Sequence, residues 1–346
     1  MGICFELNGN TASKKPRRKA LLGFAVTALT CLSITMTGQA LAQAVQGANA
    51  YPNHPVKLVI PFPPGGATDV IGRLVAQRLG EAWGQTVIVE NRSGASGAIG
   101  SASVAKSAPD GYTLLVGTTS SHGVSPAINP KLPYQISDFS PITLLATFPN
   151  VIVVHPSVAK TLPELIALAK ASPGKLSFAS SGHGSSTHLT GELFNLMSGT
   201  NIVHVPYKGS NPLLNDLVAG HIPMAVDQLA SVMPFVQAGR IRAIGITSLE
   251  RSNTMPEVPT VREVVPGFEA NAWVGIFAPA STPPAIMQKI ARDTGKILAS
   301  PDIVQKLKDL GAAPVGDSPD QFLAFVKKDV QKWRELAKSA NITAEN

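Results

Sequence analysis

At 346 residues the chain exceeds one ordinary core, since domains usually run to about 100–200 residues. A composition 44% hydrophobic and 15% charged excludes a disordered chain, and 30 Gly with 28 Pro in no fixed period exclude collagen and point to many turns. The net charge of +7 is uneven: five of the 29 Lys/Arg and one of the 22 Asp/Glu lie in residues 1–42, so the remainder carries only +3. That balance lacks the basic stripe of a nucleic-acid binder, and nucleic acid is excluded as a partner.

The N-terminus reads as an export address. Lys14 to Lys19 makes a positive stretch, Ala20 to about Met36 an apolar one, and Ala40-Leu41-Ala42 supplies a small-x-small cleavage signature. The apolar run is shorter than the ~20 residues of a membrane span, so residues 1–42 are expected to be a cleaved signal peptide and the mature chain an exported protein. Both cysteines, Cys4 and Cys31, leave with it. The mature chain then has no disulfide and no thiolate-ligated zinc or iron–sulfur site.

From Val56 onward strands and helices alternate. Val56–Ile60 is a short β-branched run, hence a buried strand. Pro61 to Gly66 breaks it, and Val70, Ile71, Leu74, Val75, Leu79 and Trp83 recur at helical spacing, with Thr68 and Asp69 as cap candidates. Thr86–Val89 is a strand, Ile99–Ala105 a helix, and Thr113–Gly117 a strand ending in Thr118-Thr119-Ser120-Ser121. The stretch Phe139–His155 is nearly continuous strand. A second block follows, with helices over Leu162–Ala171, Thr187–Met197 and Pro212–Ala219. Its strands are Leu176–Ala179, Ile202–Val205, Met224–Val226 and Ala243–Thr247. Trp273–Ala278 is a strand again, and Pro283–Ala299 and Pro319–Ala340 are long amphipathic helices. Such alternation calls for parallel sheets: an α/β fold of two doubly wound domains. The long strand stretches are where the chain crosses between them. Residues 51–149 plus 276–346 form domain 1, and residues 150–275 form domain 2.

In open α/β sheets ligands sit beyond the carboxyl ends of strands. Here those ends lead through small residues into helices: Gly65-Gly66-Ala67-Thr68, Gly94-Ala95-Ser96-Gly97, Gly182 to Thr187, and Lys208-Gly209-Ser210-Asn211. A helix start offers unpaired N–H groups and about half a positive charge, which suits an anion. Four such loops, split between two domains, point to a shared anion site in the cleft. Thr119 and Ser120 also end a strand there, as does Asp227, which either contacts ligand or caps a neighbouring helix. Lys208 is a solvated lysine or a clamp. His122 is a further cleft candidate, whereas His54, His155, His204 and His221 read as structural.

Catalytic signatures are missing. There is no G-x-S-x-G elbow and no phosphate loop, and the glycines of 94–100 are spaced G-x-x-G-x-x-G rather than as a dinucleotide fingerprint. His183 and His188 are five apart, where a pair on one helical face needs three or four. No catalytic residue, metal or cofactor is expected.

Several motifs then stand together: Tyr51-Pro52, Pro61 to Asp69, Val89-Glu90-Asn91-Arg92-Ser93-Gly94-Ala95-Ser96-Gly97, Pro109-Asp110-Gly111-Tyr112-Thr113-Leu114, His204-Val205-Pro206-Tyr207-Lys208-Gly209, and Pro256 to Thr260 followed by Glu263. In this order, from Tyr51 to Ala340, they resemble the substrate-binding proteins of tripartite tricarboxylate transporters, the Bug family. The resemblance implies a type II-like periplasmic binding protein, two domains joined by hinge strands. It would close on a small mono- or dicarboxylate, perform no chemistry, and hand the ligand to membrane permease subunits; the alternatives are a receptor that presents its ligand to a sensor kinase and an exported enzyme on a similar fold. It also implies a carboxylate held mostly by backbone N–H groups and hydroxyls. The expected ligand-contacting set is Pro64, Gly65, Gly66, Ala67, Thr68 and Asp69 on one jaw and Ser181, Gly182, Ser185, Thr187, Tyr207, Lys208 and Gly209 on the other, with Thr119, Ser120 and Asp227. Val226-Asp227-Gln228 departs from the family pattern, where a bulkier residue precedes the Asp and Asn or Ser follows.

Overall fold

The computed structural model describes residues 1–4, 6, 9, 51–339, 342 and 343. The export signal expected over Lys14 to Ala42 lies outside them. Contacts divide the chain into Met1–Ala50 and Tyr51–Asn346. Of the first unit, Cys4 is exposed; the second carries the fold.

Its elements run β1 Val56–Ile60, α1 Ala67–Trp83, β2 Val87–Asn91, α2 Ala98–Ala105, β3 Thr113–Thr118, a wide turn over Thr119–Val124, α3 Ser125–Ile128 and β4 Phe139–Val154. Then come α4 Leu162–Ala171, β5 Ser177–Ser180, α5 Ser186–Ser198, β6 Val203–Pro206, α6 Ser210–Val218, β7 Met224–Gln228, α7 Leu229–Gln237 and β8 Arg242–Ile246. Last are β9 Asn271–Pro279, α8 Pro284–Leu298, α9 Pro301–Asp309, β10 Ala313–Pro314 and α10 Pro319–Ser339. The sequence pattern misses α7, where Pro234 interrupts the reading, and α9, which begins at Pro301 after the N-cap Ser300.

The strands connect in the order β2-β1-β3-β9-β4-β7-β5-β6, with β8 and β10 also on β4. Pairings β1–β2, β1–β3, β5–β6 and β5–β7 are parallel, as the alternation of strand and helix requires. The expectation of wholly parallel sheets fails at the join. There β3–β9, β4–β9, β4–β7 and β4–β8 are antiparallel. The reason is topological: β4 carries the chain out of the first parallel set and β9 brings it back beside it, so the two neighbours must run in opposite directions. Phe139–Pro149 of β4 pairs with β9, whereas Asn150–Val154 pairs with β7. Two irregularities in the β4–β9 ladder, at Pro141/Thr143 and Leu144/Ala146, let this 16-residue strand bend.

Burial on both faces explains the continuous apolar runs. Along β4, Ile152 and Val154 pack with Phe178, Leu189 and Val226, while Val151 and Val153 pack on the opposite face with Ala179, Leu217 and Ile246. The first parallel set has its own core around Leu58, Ile60, Ile71, Leu114 and Ile276. Helix α10 spans two clusters: Phe322, Val326 and Val330 pack with Val59, Leu115 and Phe277, and Trp333 and Ala337 with Ile152 and Leu189.

Candidate functional site

The first jaw forms where β1 ends. Gly65 turns the chain at φ 88°, and Gly66 is extended before α1 begins at Ala67. No side chain caps α1 at Gly66. Instead the buried Asp69 reaches back, its Oδ2 accepting the Gly65 N–H at 3.0 Å. The same carboxylate accepts from Arg73 Nε at 3.0 Å and Asn91 Nδ2 at 2.8 Å. Burial opposes its charge, but the hydrogen bonds from Arg73, Asn91 and Gly65 outweigh it and hold the acid below the usual carboxylate range. Asp69 thus shapes the jaw from within and does not line the cavity between the jaws. Arg73 is likewise engaged inward, its Nη2 donating to Asn91 Oδ1 at 2.7 Å. Among the described residues no acceptor meets the N–H groups of Gly66, Ala67 and Thr68.

The second jaw forms after β5 and β6. Gly209 (φ 104°) precedes α6 and donates its N–H to Ser181 O at 3.1 Å. The N–H groups of Ser210 and Asn211 have no acceptor among the described residues. The jaws touch: Asn211 Nδ2 donates to Pro64 O at 3.4 Å, Ser186 N–H to Ser120 Oγ at 2.9 Å, and Ser96 Oγ to His183 O.

Between them lies a cavity of about 40 Å³ lined by Phe62, Pro63, Pro64, Gly66, Ala67, Thr68, Ser120, Ser181, Lys208, Gly209, Ser210, Asn211, Pro212 and Gln228. Of the expected ligand-contacting residues, Pro64, Gly66, Ala67, Thr68, Ser120, Ser181, Lys208 and Gly209 line this cavity. Ser210 and Asn211, read as part of a helix-start loop, line it too, and Phe62, Pro63, Pro212 and Gln228, within three residues of the expected positions, complete the lining.

The other expected residues stand behind the wall. Gly65 turns the loop, and Thr119 Oγ1 accepts the Trp273 N–H at 2.7 Å. Gly182 O accepts from Ser180 and Ser185 hydroxyls. Ser185 caps α5 through the His188 N–H, and Thr187 Oγ1 accepts the Ser181 N–H at 3.0 Å. Tyr207 donates to Asp216 Oδ2 at 2.7 Å, and burial with this acid lifts its phenol to about 12. For Asp227 the helix-cap alternative is nearer the geometry. Its Oδ1 accepts Ser210 Oγ at 2.9 Å and Gln228 N–H at 2.8 Å, while Oδ2, fully buried, has no partner among the described residues. Burial pushes this carboxyl up to about 6 despite those bonds.

His122 is buried among Tyr134, Phe139 and Phe277, away from the cavity lining, and burial lowers it to about 3. His183, His188 and His204 come together beside the second jaw. Burial, then His188 and His183, push His204 down to about 3.

The lining presents two helix starts, three serine hydroxyls, one threonine and a single charged side chain, Lys208. It includes no carboxylate and no histidine, the groups a hydrolytic site uses as base. Helix starts and hydroxyls of this kind suit an anion chemically.

Comparison with known proteins agrees. The model for the tripartite tricarboxylate transporter family receptor matches residues 71–342. Protein BugT of Bordetella pertussis is 39% identical over 290 residues, spanning 83% of this chain and 89% of its own. Among solved structures, an R. palustris protein with adipate is 37% identical at a TM-score of 0.83, covering 85% of this chain and 99% of its own. MatC from Rhodopseudomonas palustris, with bound malate, is 32% identical at 0.78, covering 83% and 99%. The chain belongs to the tripartite tricarboxylate transporter receptors, the Bug family of periplasmic solute-binding proteins.

Proposed function

We propose that this chain is a periplasmic receptor that captures a small organic mono- or dicarboxylate and delivers it, unchanged, to the membrane permease subunits of a tripartite tricarboxylate-type transporter. The observation that carries this reading is the pair of helix starts, α1 and α6, without side-chain caps, meeting across one cavity with N–H groups on both that have no acceptor among the described residues. Adipate and malate in the two relatives support the ligand class. Residues 51–149 plus 276–346 act as one lobe and 150–275 as the other, with β4 and β9 as the hinge on which they close. The signal at residues 1–42 delivers the chain to the periplasm.

A thermal-shift screen of organic acids and amino acids, followed by calorimetry, tests the reading. A carboxylate at a hundred times its Kd adds ~2.7 kcal/mol, raising the melting temperature by several degrees. One-to-one binding of unchanged acid is expected; turnover, or no hit among carboxylates, refutes it. Cross-linking of loaded receptor in intact cells identifies the membrane partner as permease or sensor kinase.

A further inference from the structure

Beside the second jaw three imidazoles converge from separate elements. His183 lies in the β5–α5 loop, His188 in the first turn of α5 and His204 in β6, and one ligand nitrogen from each lies within 4.8 Å of the others. His188 and His204 stack with ring centroids 3.7 Å apart, and His183 is 5.0 Å from His188. We propose that these three residues form a binding site for one divalent transition-metal ion of the imidazole-favouring class, such as Zn²⁺, Co²⁺ or Cu²⁺.

The hydrogen bonds around the rings favour this chemistry. His188 Nδ1 accepts the Gly184 N–H at 3.1 Å, so its proton is on Nε2, which faces Glu192 Oε1 at 3.6 Å. His204 Nε2 is 2.7 Å from Ser180 Oγ, whose own proton goes to Gly182 O at 3.0 Å, so Nε2 carries the hydrogen there too. His204 therefore keeps its Nδ1 lone pair with Nε2 held by the Ser180 hydroxyl, the outer-shell arrangement that fixes tautomer and orientation in metal-bound histidines. The His188 Nδ1 lone pair is held by the Gly184 N–H and becomes a ligand only when the ion replaces that donor. Imidazole nitrogens on a tetrahedral ion stand about 3.4 Å apart, so the cluster must contract by roughly 1 Å. His183 and His204 are only half-buried, which leaves an approach for the ion, and His183 sits between Gly182 and Gly184 on a loop with freedom to follow it.

Binding at His188 Nδ1 displaces the Gly184 N–H, so the ion and the loop conformation are linked. The same loop presents Ser181 to the cavity and accepts Ser96 through the His183 carbonyl. Metal occupancy then fixes one wall of the cavity.

The test uses chelator-treated protein freed of any polyhistidine tag, titrated with Zn²⁺ by calorimetry and with Co²⁺ by visible absorption. One ion per chain at micromolar or tighter affinity is expected, with Co²⁺ bands of a nitrogen-rich tetrahedral site. His183→Ala and His204→Ala should each weaken binding about tenfold or more, while His221→Ala, at an exposed site outside the cluster, leaves it unchanged. Melting curves in chelator check the fold, and His183→Gln at the half-buried loop position decides if an alanine variant does not fold. Absence of stoichiometric binding by the wild type, or wild-type affinity in folded His183 variants, overturns the proposal.

Discussion

Replacing Ala67 by proline separates backbone capture of the anion from side-chain capture. Ala67 is the first residue of α1, and Gly66 before it is extended at φ −80°, ψ 167°. That is the conformation a residue preceding proline adopts, and proline is well tolerated at a first helical position. The Ala67 N–H has no acceptor among the described residues, so its removal takes nothing from the fold, and the melting temperature without ligand should hold. If this N–H donates to a bound carboxylate, its loss costs a charge-assisted hydrogen bond of ~1.5–3 kcal/mol. Binding by calorimetry should then weaken about ten- to a hundredfold. Arg73→Ala is the companion variant. Arg73 is spent on Asp69 and Asn91 and does not line the cavity. Its half-exposed ion pair contributes at most about 1 kcal/mol to stability, and Asp69 keeps Gly65 and Asn91 without it. Affinity should change by less than about threefold, and added salt should matter little. If Arg73→Ala abolishes binding while Ala67→Pro leaves it intact, the anion is held by a side-chain clamp and the backbone account is wrong.

Gly209→Ala should weaken carboxylate binding about tenfold or more, because its Cβ would lie 3.3 Å from Pro63 Cγ across the cavity at a φ of 104°; unchanged affinity would show that the jaws do not need this contact. Asp227→Asn reads a pH window. With its folded pKa raised to about 6, the wild-type acid costs stability increasingly as pH rises from about 4 through 6, and nothing below. The variant's stability relative to wild type should therefore be roughly 3 kcal/mol more favourable at pH 8 than at pH 4, and a pH-independent difference in denaturant melts counts against it. Gly275→Ala should destabilise by ~1–3 kcal/mol, because the added Cβ lies 2.2 Å from Phe322 Cζ and 3.0 Å from Thr143 O; a wild-type denaturation midpoint refutes that. Saturating carboxylate should lower the radius of gyration in small-angle scattering without changing the far-ultraviolet spectrum, and an unchanged radius argues against hinge closure.

Element types were legible because the strands are buried on both faces. Val56–Ile60 and the run ending at Val154 announce themselves as β-branched apolar stretches, and Leu162–Ala171 as a helix with matching ends. Strand direction was not legible, since a period of two is the same read either way, and so the antiparallel join of β4 and β9 stayed hidden. At the cavity, reasoning from strand ends picks out the loops that line it but not which atoms face inward. Nothing in the spacing says that Asp69 will be taken by Arg73 one turn later and by Asn91 from β2, or that the Thr187 hydroxyl turns back to Ser181. The three histidines show the same limit. Spacing along one helix tests His183 against His188, but His204 arrives from β6 only once the sheet has formed.

The return of the chain along β9 also sets how far apart in sequence the strands of the first sheet lie. Leu115 of β3 pairs with Phe277, and Phe139 at the start of β4 pairs with Pro279, so the first sheet lacks a central strand until nearly the whole chain exists. Joining those ends through an unstructured loop of that length is slow. If the segment between β4 and β9 folds first on its own local βα contacts, its two ends are delivered side by side and the closure becomes short. Helix α10 packs on both surfaces, Phe322 on one and Trp333 on the other. Completion of the fold is thereby read out at the C-terminus, and a chain truncated before Pro319 leaves apolar surface uncovered on both sides of the join.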